Sequence, residues 1–184
     1  MRSPLIRSLP ALALALVLCA GAAPAGAGGK AHEHGALKLD VAIEGNRLTI
    51  AMQTPLDNLL GFERAPRTDA ERKAAAELLA RLRSADPGAL LFTADAAAQC
   101  SLGKAEVSAP VLEPGAKPAT SDGHADLDAT YEFSCTRPEE LRTLDVGVFD
   151  AYRRAKRIDV QMAGPKGQSK ATLRRPARKL QLPR

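Results

Sequence analysis

The sequence predicts an α+β fold: mostly antiparallel β-sheet, one clear amphipathic helix over about residues 69–84, and room for a second short helix. Three observations carry that prediction. Two pairs of alternating apolar runs, each joined by a turn signal, read as β-hairpins. A Thr-x-x-Glu box heads a run of leucines and alanines at helical spacing. A longer alternating run, 127–135, ends on a cysteine. The 184 residues suit one domain of ordinary size and contain no internal repeat.

Residues 1–27 read as a signal peptide. Arg2 and Arg7 make a basic start, and Leu9 with Ala11 to Leu18 forms a short apolar stretch. Ala23-Pro24-Ala25 and Ala25-Gly26-Ala27 offer the small residues that a signal peptidase reads. The apolar run is shorter than the ~20 residues of a membrane span. Cys19 follows Leu16-Val17-Leu18 rather than a small residue, which argues against a lipoprotein. The mature chain then starts near Gly28, within a single domain over 28–184, and no membrane span is expected after cleavage.

Leu37, Leu39, Val41 and Ile43 alternate with Lys38, Asp40 and Ala42, which is the period of a half-buried strand. Glu44-Gly45-Asn46 turns the chain, Leu48, Ile50 and Met52 resume the alternation, and Thr54-Pro55 ends it. Thr68 and Glu71 form a capping box, followed by Ala75, Leu78, Leu79 and Leu82 on one stripe. That helix stops before Asp86-Pro87-Gly88. Leu90 to Phe92 reads as a short strand and 100–109 as a weak one. Pro110 to Gly123 holds three prolines and two glycines and reads as a flexible surface loop. From Leu127 to Cys135 the alternation returns and places Cys135 on the apolar face. Arg137-Pro138 breaks that strand. Leu141 to Tyr152 reads either as a strand around Leu144–Phe149 or as a helical turn. Ile158, Val160 and Met162, the turn Gly164–Gly167, and Ala171 with Leu173 make the second hairpin, and Leu180 and Leu182 a last edge strand.

Loss of Cys19 with the leader leaves Cys100 and Cys135, an even count in an exported chain, which argues for a disulfide. Such a bridge closes a loop of about 35 residues and contributes roughly 3–4 kcal/mol in the chain-entropy view. Neither cysteine has a partner at Cys-x-x-Cys spacing, so thiolate metal binding is the weaker reading.

Composition excludes several function classes. The chain is 45% apolar but has six aromatic residues and no Trp, which excludes a large aromatic ligand cage and argues against a base-stacking platform. The net charge of +5 falls to +3 without the leader, 24 basic against 21 acidic residues. That remainder is split. Residues 28–152 carry 13 basic and 20 acidic residues, whereas residues 153–184 carry eleven Lys and Arg against Asp159 alone. A basic end of this kind either docks anionic lipid head groups or an acidic partner, or packs beside the acidic part of its own domain; the last reading is preferred, and nucleic acid is not expected as a partner.

Chemistry has few places to sit. Gly-x-Ser-x-Gly, Walker, Rossmann-glycine and His-Glu-x-x-His motifs are absent from the sequence. Ser121, His124 and Asp126 make a triad only on paper, crowded on one loop, so no enzyme activity is expected. There are three histidines. His32 and His34 flank Glu33, and if the first strand extends backwards both share parity with Lys38 and Asp40 and point to the polar face. Two imidazoles on one side of a strand suit zinc, and His124 with Asp126 could complete the set. The alternative is a solvated tail near the new N-terminus.

Several stretches carry a family resemblance: His32-Glu33-His34-Gly35-Ala36, then Thr54-Pro55-Leu56-Asp57-Asn58-Leu59-Leu60-Gly61-Phe62-Glu63, Ala65-Pro66-Arg67-Thr68, His124-Ala125-Asp126, Tyr131-Glu132-Phe133-Ser134-Cys135, Ile158-Asp159-Val160-Gln161 and Gly167-Gln168. Together they resemble, in order and over nearly all of the mature chain, the ZrgA-like family of zinc-regulated exported proteins. The resemblance implies a periplasmic, non-catalytic protein that binds zinc or a similar divalent ion and assists its uptake or homeostasis, with a zinc transporter component as partner. It implies His32, His34, His124 and Asp126 as metal-binding residues and Glu63 as a further candidate. Two departures bear on this. Val111 to Gly123 holds no histidine where many members have a His- and acid-rich loop, so a low-affinity zinc reservoir is not expected. Arg64 stands where the family commonly has histidine, and a cation beside Glu63 disfavours a metal there. The competing expectation is an interaction protein that keeps the fold and has lost metal binding.

Overall fold

The computed structural model describes residues 33–86, 91–113 and 125–183. The leader expected over 1–27, His32 and His124 lie outside the described residues. Among those described, no helix is long and apolar enough to cross a membrane.

The α+β expectation holds. Strands β1 (Ala36–Glu44), β2 (Arg47–Pro55), β4 (Cys100–Ser108), β5 (Asp126–Cys135), β7 (Arg157–Gly164) and β8 (Gly167–Arg174) form one six-stranded sheet in the order β4-β5-β2-β1-β7-β8. Strands β3 (Phe92–Ala94), β6 (Thr143–Val146) and β9 (Lys179–Gln181) form a three-stranded sheet, β3-β6-β9. Both expected hairpins, β1–β2 and β7–β8, are present and antiparallel. The β1–β7 pairing is parallel, an exception to the antiparallel rule that no local pattern signals.

Alternation decides which face is buried. Leu37, Leu39, Val41 and Ile43 of β1, Leu48, Ile50 and Met52 of β2, and Leu127, Ala129, Tyr131 and Phe133 of β5 all lie in one core with the buried residues of the small sheet. Phe92 of β3 meets Tyr131 of β5 edge-on, with ring centroids 5.4 Å apart. The C-terminal end closes against β7: a Cβ on Gly164 would come within 2.5 Å of the Pro183 carbonyl oxygen, so only glycine fits there. Helix α2 (Asp69–Leu82) has the expected capping box and buries Ala75, Leu78, Leu79 and Leu82.

Three stretches differ from expectation. A short helix α1 (Asp57–Leu60) follows β2 directly, where the sequence shows only the end of a strand. The ambiguous 141–152 stretch takes both of its readings, β6 and then helix α3 (Val148–Ala151). Residues 110–112, expected in a surface loop, form a 3-10 turn that buries Val111 and Leu112 in the core.

Part of the basic end pairs inside the domain. Arg178 pairs with Asp145 and Asp150. Arg175 donates to the carbonyls of Tyr152 and Ala155 and stacks on the Phe149 ring at 5.1 Å. Arg157 pairs with Glu33 and Asp159.

Candidate metal site

Antiparallel pairing brings three strand ends to one place. β1 begins, β2 ends and β5 begins at the same end of the large sheet, with Pro55 opposite Asp126 and the Leu56 amide donating to the Ala125 carbonyl at 2.9 Å. Helix α1 sits on that end, and from it points Asn58, a polar side chain only 1% exposed. Its Oδ1 accepts from the Gly35 amide at 2.7 Å, and its Nδ2 donates to the Ala36 carbonyl at 2.7 Å and to Thr54 Oγ1 at 3.0 Å. The Gly35 carbonyl in turn accepts from the amides of Lys156 and Arg157 at 2.8 and 3.0 Å. The backbone next to His34 is thus held from both sides.

His34 lies in a tight turn rather than on a strand. The Ala36 amide donates back to the Glu33 carbonyl at 3.0 Å, and Gly35 takes φ of +84°, a left-handed conformation that glycine adopts without strain. The turn corrects the parity argument: β1 starts at Ala36, so alternation along it does not set the direction of the histidines. Glu33 is used structurally. Two bonds to Arg157, at 2.8 and 2.6 Å, hold its carboxyl below the usual carboxylate range.

The turn brings His34 Nε2 to 3.2 Å from Glu63 Oε1. The pair is asymmetric. The His34 side chain is 59% exposed and that of Glu63 only 11%, with Oε1 wholly shielded from solvent. The imidazole therefore faces water with the carboxylate behind it, in surroundings where charge attraction is stronger than in bulk solvent. Asp126 stands at the start of β5 on the same end of the sheet, and its Oδ1 is also shielded. Asp128, one alternation further, is exposed.

Arg64, expected to disfavour a cation beside Glu63, has a partner of its own. Its guanidinium makes two bonds to Glu71, at 2.9 and 2.7 Å, and stacks on Phe62 at 5.1 Å. Glu71 also accepts from the amides of Arg67 and Thr68, and its carboxyl drops to about 2, chiefly through Arg64. The positive charge beside Glu63 is thereby matched by a carboxylate of α2.

Of the residues singled out in the sequence, His34 and Glu63 meet, and Asp126 shares their end of the sheet. Among the described residues there is no group of three His, Cys, Asp or Glu side chains set to hold a metal ion. Cys100 and Cys135 are directly opposite on β4 and β5 and are joined as a disulfide, as expected. They sit at the far end of β5 from Asp126, so thiolate chemistry has no part in this site. Sequence reasoning missed Asn58. It appears only as part of the Asn-Leu stretch of the family resemblance, and a buried amide between two strand ends has no periodic signal.

Comparison with known protein families gives one match: the model described as ZrgA family zinc uptake protein covers residues 31–182. No curated protein matches the chain.

Proposed function

This chain belongs to the ZrgA family of zinc uptake proteins, and from that premise we propose that it is an exported, non-catalytic zinc-binding protein of the periplasm, released from its leader near Ala27, that assists zinc uptake. The observation that carries the reading is the His34–Glu63 pair. Two zinc–ligand bonds of about 2.0–2.1 Å meeting at a tetrahedral angle hold their donor atoms about 3.3 Å apart. The pair stands at 3.2 Å. The two donor atoms already stand at that spacing, so this pair need not be drawn together to meet an ion.

His34 and Glu63 supply a nitrogen and an oxygen donor, a set that suits zinc and also copper and nickel. Asp126 is the third ligand in this reading. His32 and His124 are the remaining candidates; they lie two residues before His34 and two before Asp126. The partner proposed is a component of a zinc transporter, which would take the ion from the exposed imidazole.

Isothermal titration of the mature protein with zinc tests this. One zinc per chain is expected, with affinity falling by about 100-fold or more in His34→Ala, a loss at or above that caused by supporting residues. No zinc-dependent heat in the wild type would overturn the proposal and favour an interaction protein that keeps the fold without the metal.

A further inference from the structure

We infer that Asn58 is the positioning residue of this site: it fixes His34 at metal-binding distance from Glu63 by clamping the backbone of Gly35 and Ala36. The inference rests on the reading of His34 and Glu63 as ligands.

The amide of Asn58 is used directionally. Its oxygen meets an N–H, that of Gly35, while its nitrogen meets the Ala36 carbonyl and Thr54 Oγ1. Reversing the amide would set donor against donor and acceptor against acceptor, so one orientation is defined. Thr54 behind it is fully buried, and its hydroxyl can donate to the Pro55 carbonyl at 3.3 Å. These bonds join the neighbouring end of β2 and helix α1 to the start of β1, more than 20 positions away. Glu63 lies three residues beyond the end of α1, and His34 lies two residues before β1. The clamp therefore spans the two segments that carry the ligands.

An apolar side chain would fill this position without the cost of burying an amide, as Leu59 and Leu60 of the same helix show by packing against the core. What an apolar residue lacks is direction. Gly35 has no side chain to restrain it, and Asn58 is the side chain that holds its amide. Lose that bond and the Gly35 amide has no partner, so the turn bearing His34 keeps only the Gly35 carbonyl on the Lys156 and Arg157 amides, the Ala36–Glu33 backbone bond and the Glu33 carboxylate on Arg157, none of which fixes that amide.

Asn58→Ala should weaken zinc binding by about 10- to 100-fold, the range typical of groups that orient a metal ligand. It should also change the visible absorption of the cobalt-substituted protein, which reports ligand geometry and is indifferent to mere loss of stability. Both are measured below the melting temperature of the metal-free variant, with circular dichroism confirming the fold. Leu82→Ala, a core truncation in α2, is the control: it destabilises the protein yet should leave affinity and cobalt spectrum unchanged. Should Asn58→Ala not fold, Thr54→Val removes one of the three Asn58 bonds at constant shape, with a loss of about threefold expected. A folded Asn58→Ala protein, or failing it Thr54→Val, that binds zinc as the wild type does and keeps its cobalt spectrum overturns the inference and leaves the zinc proposal standing. A wild-type protein that binds no zinc overturns both.

Discussion

The two ends of β5 are held by opposite means. At Cys135 the strand is bonded covalently to Cys100 of β4, and the neighbouring backbone is fully paired: the Cys135 amide donates to Asn46, Thr136 to Gln99 and Arg137 to Ala98. At Asp126 the strand is tied to the end of β2 by hydrogen bonds, and the adjoining start of β1 is held by the Asn58 amide on one side and by the Lys156 and Arg157 amides on the other. A cross-link resists loop opening whatever the side chains around it do. A set of directional bonds fixes a geometry to a fraction of an ångström and is sensitive to one atom. The protein carries its covalent staple away from the place where the proposed ligand side chains emerge, and its directional contacts at that place.

The largest expected effect separates the ends most sharply. Replacing both cysteines, Cys100→Ala/Cys135→Ala, should cost about 3–4 kcal/mol of stability in urea denaturation, since it frees a loop of 35 residues in the unfolded chain. Zinc affinity should not change, because β5 at about 3.3 Å per residue separates the bridge from Asp126 by roughly 30 Å. Loss of zinc binding in the folded double variant would mean that the two ends are one cooperative structure. The opposite perturbation, Asn58→Ala, should cost less, about 2 kcal/mol, for the buried partners it leaves unpaired. Its cost in metal binding should exceed anything the cysteine variant shows. A stability loss larger than that of the cysteine variant would reverse the ranking.

That contrast also marks what could be read from the sequence. The cysteine bridge, both hairpins and the α2 capping box were legible because each is written in local periodicity, residue count or a four-residue motif. Val111 and Leu112 were misread because a proline- and glycine-rich composition outweighed two apolar residues that tertiary packing draws inward. The candidate site was half legible. His34 and Asp126 could be named, and Glu63 suspected from the resemblance. The bonds that hold the Gly35 turn reach 23 positions to Asn58 and, from Glu33 beside it, 124 positions to Arg157 at the start of the parallel β1–β7 pairing, distances for which one sequence has no local sign. The partner of Arg64, Glu71, was not foreseen either, because it lies on the next helix.

Arg64 and Glu71 give the smallest and most specific test, because they lie beside the site without joining it. The Glu71 carboxyl has an ordinary value of 4.5 and drops to about 2 in the folded protein, first through the Arg64 guanidinium and then through the Arg67 amide. A carboxyl lowered on folding adds stability that is present in full above its unfolded value and disappears as pH falls through the folded one. The stability gap between wild type and Glu71→Gln should therefore be constant above about pH 5 and close between 4.5 and about 2. Urea midpoints at a series of pH values measure that gap directly, and the other acids cancel because both proteins contain them. In Arg64→Ala the lower edge of the window should rise toward the unchanged upper one, since the largest cause of the lowered value is gone. Zinc affinity near neutral pH should stay within about twofold of the wild type, because surface ion pairs of this kind contribute little beyond their own partners. A gap that does not vary with pH would show that Glu71 acts through its shape in the capping box alone. A large rise in zinc affinity in Arg64→Ala would show that the guanidinium does oppose the metal, despite facing the carboxylate of α2.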